Sequence, residues 1–202
     1  MTAPGSIVVL NGAPRSGKSS IVRAIQDSFD GTWVNLGVDI YRTATPQLGP
    51  GIGLRPGGER ADLEPLLPGL YAALYDSIAG HSRLGLNVVA DFGHHDFYSR
   101  PLGILPDCAR RLSGLPALFI GIRCPIEVIM ARRNAESRDG FYETGSVAPI
   151  TVIRWQEAVH RPGIYDLELD TSTLSPAEGA AAIGRLLAAP PSPTAFEQLA
   201  RL

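Results

Sequence analysis

Gly12-Ala13-Pro14-Arg15-Ser16-Gly17-Lys18-Ser19 satisfies the pattern G-x-x-x-x-G-K-[ST] at each fixed position, and no other stretch narrows the possible folds as far. The apolar run Ile7-Val8-Val9-Leu10 before it reads as a buried parallel strand. Ile21, Val22, Ile25 and Phe29 after it recur as the inner face of a helix. A glycine-rich turn between such a strand and helix aims successive backbone N–H groups, and the positive end of the helix, at one anion. Gly12 and Gly17 are expected to adopt backbone conformations closed to residues with a β-carbon.

A loop of this kind wraps the phosphates of a nucleotide. Residues Gly12 to Ser19, with Ser20 in the following turn, form the expected nucleotide site. Lys18 is expected to reach the β- and γ-phosphates, and the Ser19 hydroxyl to ligate Mg²⁺. Composition singles out Lys18 independently. Of the 18 basic residues, 17 are arginine and Lys18 is the only lysine. A chain so biased toward arginine keeps its one compact point charge where a phosphate chain needs it.

The 202 residues, 45% hydrophobic and 19% charged, suit one α/β domain over positions 1–190, followed by a tail at 191–202. The net charge of −2 argues against a general nucleic-acid binder, which needs a basic face to displace counterions. No apolar run reaches membrane-spanning length and no charged leader precedes an apolar segment, so a cytoplasmic protein acting on small molecules is expected, with homo-oligomerisation left open. Cys108 and Cys124 stand apart without a Cys-x-x-Cys pattern. They are expected to be reduced, half-buried thiols rather than a disulfide or zinc pair.

Beyond the first helix, residues 33–38 read as a strand running into Asp39. In a parallel sheet every strand ends on the edge where ligands bind, so Asp39 is placed beside the phosphate loop as the candidate base, a role compatible with capping a helix. Residues 45–60 carry glycine and proline without period and read as a loop covering the substrate or as a merely mobile one. Residues 86–91 form a third strand ending in Asp91, positioned to hold Mg²⁺ with Ser19 or to cap a turn. His94 and His95 follow as pocket or solvated-loop residues.

A helix over 98–112 and a fully apolar strand over 117–122 come next. Pro125 opens a helix carrying Arg132 and Arg133, with Arg138 beyond it. The arginines at 132–147 read as a lid over the nucleotide: Arg132 and Arg133 toward the phosphates, Arg138 toward the transferred group, where guanidinium neutralises spreading charge. A helix over 149–160 and an edge strand over 165–170 follow. Residues 170–173 then form a candidate floor for the base, and Ser175-Pro176-Ala177-Glu178 is a capping box that opens a last helix. Five strands alternating with helices make an α/β three-layer sandwich on a parallel sheet, of the P-loop nucleoside and small-molecule kinase type.

Leu10-Asn11-Gly12 with Gly17-Lys18-Ser19, Gly37-Val38-Asp39, Gly121-Ile122-Arg123-Cys124, Val159-His160, Tyr165-Asp166 and Asp170-Thr171 together resemble the chloramphenicol phosphotransferase family, in order and spacing, over residues 6–172. The resemblance implies an antibiotic O-kinase using ATP or GTP and Mg²⁺, with the aspartate matching Asp39 taking the proton from the acceptor hydroxyl. The chain departs from the family in its glycine- and proline-rich 45–60 loop, in Asp91-Phe92-Gly93-His94-His95 where paired acids are usual, and in its tail. The first two departures would line the acceptor site, so a nucleoside or aminocyclitol antibiotic stands beside a chloramphenicol-like one as acceptor. A metabolic kinase of a sugar acid, nucleoside or UDP-sugar, and a nucleotide-dependent regulatory module, are the rival readings.

Overall fold

The computed structural model describes residues 3–48, 52–135 and 147–202. Strands β1 (Ile7–Asn11), β2 (Trp33–Asn35), β3 (Asn87–Phe92), β4 (Ala117–Arg123) and β5 (Leu167–Asp170) form one parallel sheet in the order β2-β3-β1-β4-β5. The central strand β1 is buried throughout, which is why its sequence is a continuous apolar run rather than an alternation. Its register places Leu10 opposite Asp91 and Ile120, and Asn11 opposite Phe92 and Gly121.

Helices α1 (Lys18–Ser28), α2 (Val38–Ala44), α3 (Leu67–Arg83), α4 (Ile104–Arg111), α5 (Ile126–Ala135), α6 (Ile150–Ala158), α7 (Pro176–Ala188) and α8 (Ala195–Leu199), with short 3-10 helices at Pro46–Leu48 and Glu64–Leu66, complete the described elements. Ile7 and Val9 point to one face of the sheet and join Phe92, Phe119 and the inner residues of α3, α4 and α8. Val8 and Leu10 point to the other and join Ile21, Val22 and Ile25 of α1 and Ile183 of α7. The period-2 alternation of one strand thus supplies both cores, and each fully buried aliphatic side chain contributes about 1.5–3 kcal/mol. A third, smaller cluster joins Ala13 of the phosphate loop to Ile129 and Met130 of α5, Val152 of α6 and Val159 just past its end. Of the described residues, none lies in a helix long and apolar enough to cross a membrane.

Several boundaries differ from the sequence reading, each for a local reason. Strand β2 stops at Asn35, whose Oδ1 accepts from Gly37 N–H at 2.9 Å and turns the chain, so Asp39 sits in the first turn of α2 rather than at a strand end. Helix α4 begins at Ile104, not near 98. The Asp96 carboxylate accepts from the Leu102 and Gly103 N–H groups (2.7 and 3.4 Å) and holds the segment before the helix as a turn. Both cysteines are fully buried rather than half-buried.

The segment beyond 190 is no loose tail. A capping box at Thr194 and Glu197 starts α8, and Ala195, Phe196 and Leu199 enter the core shared by α3 and α4. Phe196 packs on Phe119 with ring centroids 5.0 Å apart, and the Asp166 carboxylate accepts from Ala195 N–H at 2.7 Å. The apolar residues of the 45–60 loop likewise sink inward: Ile52 and Leu54 are buried in the same core, and Gly57 N–H donates to Phe97 O at 2.8 Å.

Candidate functional site

The phosphate loop emerges from β1 between β3 and β4, at the carboxyl edge of the sheet. Gly12 is required for close approach rather than for an unusual φ, because a β-carbon there would come within 2.5 Å of Ile122 O and 2.9 Å of Ser16 Oγ. The left-handed positions are Gly17 (φ 94°) and, unexpectedly, Arg15 (φ 66°); a non-glycine residue in that region marks backbone held by its surroundings. The surroundings are identifiable. Thr171, just past β5, donates its hydroxyl to Ser16 O at 2.6 Å. The Arg132 guanidinium donates to Thr171 O (2.6 Å), Thr171 Oγ1 (3.2 Å) and Arg15 O (3.3 Å).

Arg132 therefore braces the loop against β5, and a free swinging role over the phosphates does not describe its contacts. Thr171, read from sequence as part of a floor for the base, is the loop's anchor. Arg133 lies half-buried on the same helix. Arg138 and most of the proposed lid fall outside the described residues.

Helix α1 opens at Lys18 with no side-chain cap and no acidic residue in its first turn, so its amides are unshielded toward an anion. Lys18 Nζ donates to Gly12 O and Ala13 O, both at 2.8 Å. Burial pushes its ammonium down from the usual 10.5 to about 8, against the opposing pull of the Asp91 and Asp39 carboxylates. The Ser19 hydroxyl donates to Asp91 Oδ2 at 2.7 Å, the hydroxyl and carboxylate pair that an octahedral Mg²⁺ site takes from protein while phosphates and water complete it. Among the described residues no cluster of three or more acidic, histidine or cysteine side chains could hold a metal alone. The Ser16 hydroxyl is buried without a hydrogen-bond partner. Uncapped amides, a convergent cation and the Ser19–Asp91 pair fit a magnesium-bound triphosphate.

Asp39 stands at the same edge. Its side chain is 69% exposed, 3.6 Å from the Arg42 guanidinium, and it is one of the two carboxylates whose charge acts on Lys18. The opposite wall is aromatic. A β-carbon on Gly93 would meet the Trp155 ring at 2.7 Å and Gly12 O at 3.5 Å, so the indole lies against the exit of β3 beside the loop. His95 meets Trp155 edge-on at 5.1 Å and Tyr98 at 4.4 Å.

The two histidines are buried, not solvated. His94 Nε2 is 2.7 Å from the Tyr75 hydroxyl and its ring stacks on Phe92; burial depresses it to about 3. His95 Nε2 donates to Leu54 O at 2.9 Å while its Nδ1 accepts from Phe97 N–H, which fixes the tautomer, and burial lowers its pKa too. Arg154 lies across Gly57 and pairs with Glu59 at 3.6 Å. Trp155 and Arg154 carry no motif in the sequence. The indole's unusual composition signal, one of two tryptophans in the chain, was the available hint.

A phosphate loop on the carboxyl edge of a parallel sheet ordered 2-3-1-4-5, with an acidic strand end facing the loop's serine, defines the P-loop small-molecule kinases. Solved structures share this fold. A sugar kinase from Janibacter sp. HTCC2649 is 19% identical with a TM-score of 0.59, over 95% of this chain and 99% of that one. The Mycobacterium tuberculosis APS kinase in complex with AMPPNP and APS is 18% identical with a TM-score of 0.60, over 93% and 99%. The Deinococcus radiodurans tunicamycin resistance protein is 16% identical with a TM-score of 0.57, over 93% and 99%.

Residues 5–188 match the family described as chloramphenicol phosphotransferase-like protein, and the chain belongs to that family. A Mycobacterium tuberculosis relative named "Putative O-phosphotransferase Rv2636" is 28% identical over an alignment 212 positions long, covering 96% of this chain and 88% of its own. The resemblance read from Gly37-Val38-Asp39 and Gly121-Ile122-Arg123-Cys124 is borne out, and the chain is a small-molecule O-phosphotransferase.

Proposed function

We propose that the enzyme moves the γ-phosphoryl group of a nucleoside triphosphate in line onto the hydroxyl of an antibiotic, inactivating it, with Asp39 as the base. The observation that carries this reading is the convergence of Asp39, Lys18 and the Ser19–Asp91 pair on one sheet edge. Loop amides and the Lys18 ammonium bind the phosphate chain and stabilise the charge that spreads over it in the transition state. Ser19 and Asp91 would hold Mg²⁺, which when bound neutralises phosphate charge. The Asp39 carboxylate accepts the hydroxyl proton as the O–P bond forms and the bond to the leaving diphosphate breaks. ATP or GTP as donor puts the reaction in the cytoplasm.

The acceptor side favours a neutral compound. Among the described residues Arg154 is paired with Glu59 and Arg42 with Asp39, and the wall of Trp155, His95 and Tyr98 is aromatic, with His95 kept neutral by burial. A sugar acid needs an available guanidinium for bidentate recognition. A panel assay tests this: purified enzyme with ATP·Mg²⁺ and chloramphenicol, nucleoside antibiotics, aminocyclitols, gluconate, UDP-sugars and nucleosides in turn. Acceptor-dependent release of ADP with an antibiotic, together with loss of its growth inhibition, is the expected result. Turnover confined to gluconate or another metabolite would replace it with a metabolic kinase, and ATP turnover that no acceptor stimulates above the basal rate would favour a nucleotide-dependent regulatory module.

A further inference from the structure

Asn11 closes β1 and stands immediately before the phosphate loop. It is 1% exposed, and a polar side chain buried so deeply has to be satisfied by its surroundings. Its Nδ2 donates to Val159 O at 2.8 Å and to the Tyr165 hydroxyl at 2.9 Å, while its Oδ1 accepts from His94 N–H at 2.6 Å. A carbonyl and a hydroxyl on one side and an N–H on the other fix which way the carboxamide points. The Tyr165 hydroxyl in turn lies 2.9 Å from His160 Nδ1.

These partners belong to the two segments that build the aromatic wall of the acceptor side, one carrying Trp155 and the other His95, which meet at 5.1 Å. Val159 and His160 end the segment that begins with α6, one turn beyond Trp155. His94 lies next to His95 in the irregular segment that leaves β3. Gly12, one residue on, is fixed independently through its N–H to Phe92 O at 3.2 Å. One buried carboxamide therefore ties both segments of that wall to the root of the loop that holds the phosphate donor.

We propose that Asn11 is a positioning residue for phosphotransfer, setting the distance between the acceptor wall and the phosphate loop without itself binding the nucleotide. The proposal rests on the phosphotransferase reading above. Its consequence is a separation of effects. Loosening the carboxamide leaves the loop amides and Lys18 in place, so donor binding persists. It lets Trp155 and His95 drift, and a displacement of about 1 Å at the acceptor costs about a hundredfold in transfer.

The test compares wild type, Asn11→Ala and Tyr165→Phe, all full length, using AMPPNP binding, acceptor-independent ATP hydrolysis, and transfer to whichever panel acceptor the wild type phosphorylates, chloramphenicol being tried first. Asn11→Ala is expected to bind AMPPNP within about threefold of wild type, to keep its slow hydrolysis, and to lose about a hundredfold in the ratio of transfer to hydrolysis. The acceptor KM should rise. Tyr165→Phe, which removes the hydroxyl shared by Asn11 Nδ2 and His160 Nδ1 while leaving the other two Asn11 bonds and decides the matter if Asn11→Ala fails to fold, should shift the same ratio in the same direction by about tenfold or less.

Unchanged ratios in the folded variants would overturn the proposal, as would a parallel loss of AMPPNP affinity and transfer, the pattern of a residue that merely supports the loop. A wild type that transfers to no acceptor defeats the phosphotransferase reading and this one with it. A wild type that transfers while its variants keep the same ratio defeats this one alone.

Discussion

Gly37 leaves open the space that Asp91 occupies: a β-carbon at Gly37 would overlap Asp91 Oδ1, and it would stand 3.1 Å from Asp91 N. Since Asp91 Oδ2 meets the Ser19 hydroxyl, the turn after β2 and the carboxylate proposed to hold Mg²⁺ are fitted to each other. Gly37→Ala is expected to push Asp91 off Ser19 while leaving the core intact. Its mark is a raised Mg²⁺ concentration for half-maximal activity, which Asp91→Asn should reproduce. A Gly37→Ala enzyme with the wild-type Mg²⁺ titration would contradict the assignment.

Asp39→Asn keeps size and exposure but removes the proton acceptor. It should bind AMPPNP like the wild type and lose transfer by about 10²–10⁴-fold. Transfer at the wild-type rate would remove Asp39 from catalysis. Lys18→Ala, by contrast, should lose both nucleotide binding and transfer, and equilibrium binding of AMPPNP separates the two patterns.

Lys18 makes donor binding pH-dependent. In the free protein its ammonium loses its proton near pH 8 rather than 10.5, chiefly because of burial. A triphosphate selects the charged form, so above pH 8 binding must take up a proton, and affinity for AMPPNP should fall by up to about tenfold per pH unit. The effect on stability runs the other way. Between about 8 and 10.5 the unfolded chain holds a proton that the folded one lacks, so the folded state gains as pH rises through that window. Calorimetric titrations in two buffers of different ionisation heat would detect the proton uptake, and an affinity flat from about pH 7 to about pH 9.5 would refute it.

His94 should govern part of the acid response. Its folded pKa of about 3 lies below the ordinary 6.5, because burial beside Phe92 and Tyr75 disfavours the imidazolium. Below 6.5 the unfolded chain binds a proton that the folded chain refuses, so this contribution to stability is complete above pH 6.5 and is lost progressively toward about pH 3. Thermal melts of wild type and His94→Gln across this range should show a shallower acid slope in the variant, though a lower midpoint at neutral pH.

Helix α8 is part of the core, and removing residues 191–202 should cost far more than trimming a surface tail. Phe196→Ala alone is expected to lose about 3–5 kcal/mol, the usual effect of emptying a buried aromatic site. Urea unfolding measures it, and a truncated protein with the wild-type midpoint would restore the picture of a dispensable tail.

The phosphate loop, the parallel sheet, the meeting of Ser19 with Asp91 and the position of Asp39 near the loop were legible in the chain because each depends on local order: a motif of fixed spacing, apolar runs of strand length, carboxylates at or just past strand ends. Local chemistry also announced the capping box at Ser175, since its Ser-x-x-Glu spacing acts within one turn. Only the tertiary structure decided what depends on groups far apart in sequence. Arg132 reads as a lid residue until Thr171 and the Arg15 carbonyl are seen to hold it. His94 and His95 read as pocket or solvated-loop residues alike until their contacts with Tyr75 and Leu54 show them buried and satisfied. Phe196 looked like part of a tail because the surface that receives it, Phe119 on β4, lies 77 positions earlier in the chain. Hydrogen-bond geometry and the burial of apolar area belong to pairs of groups, and no single segment records its partner.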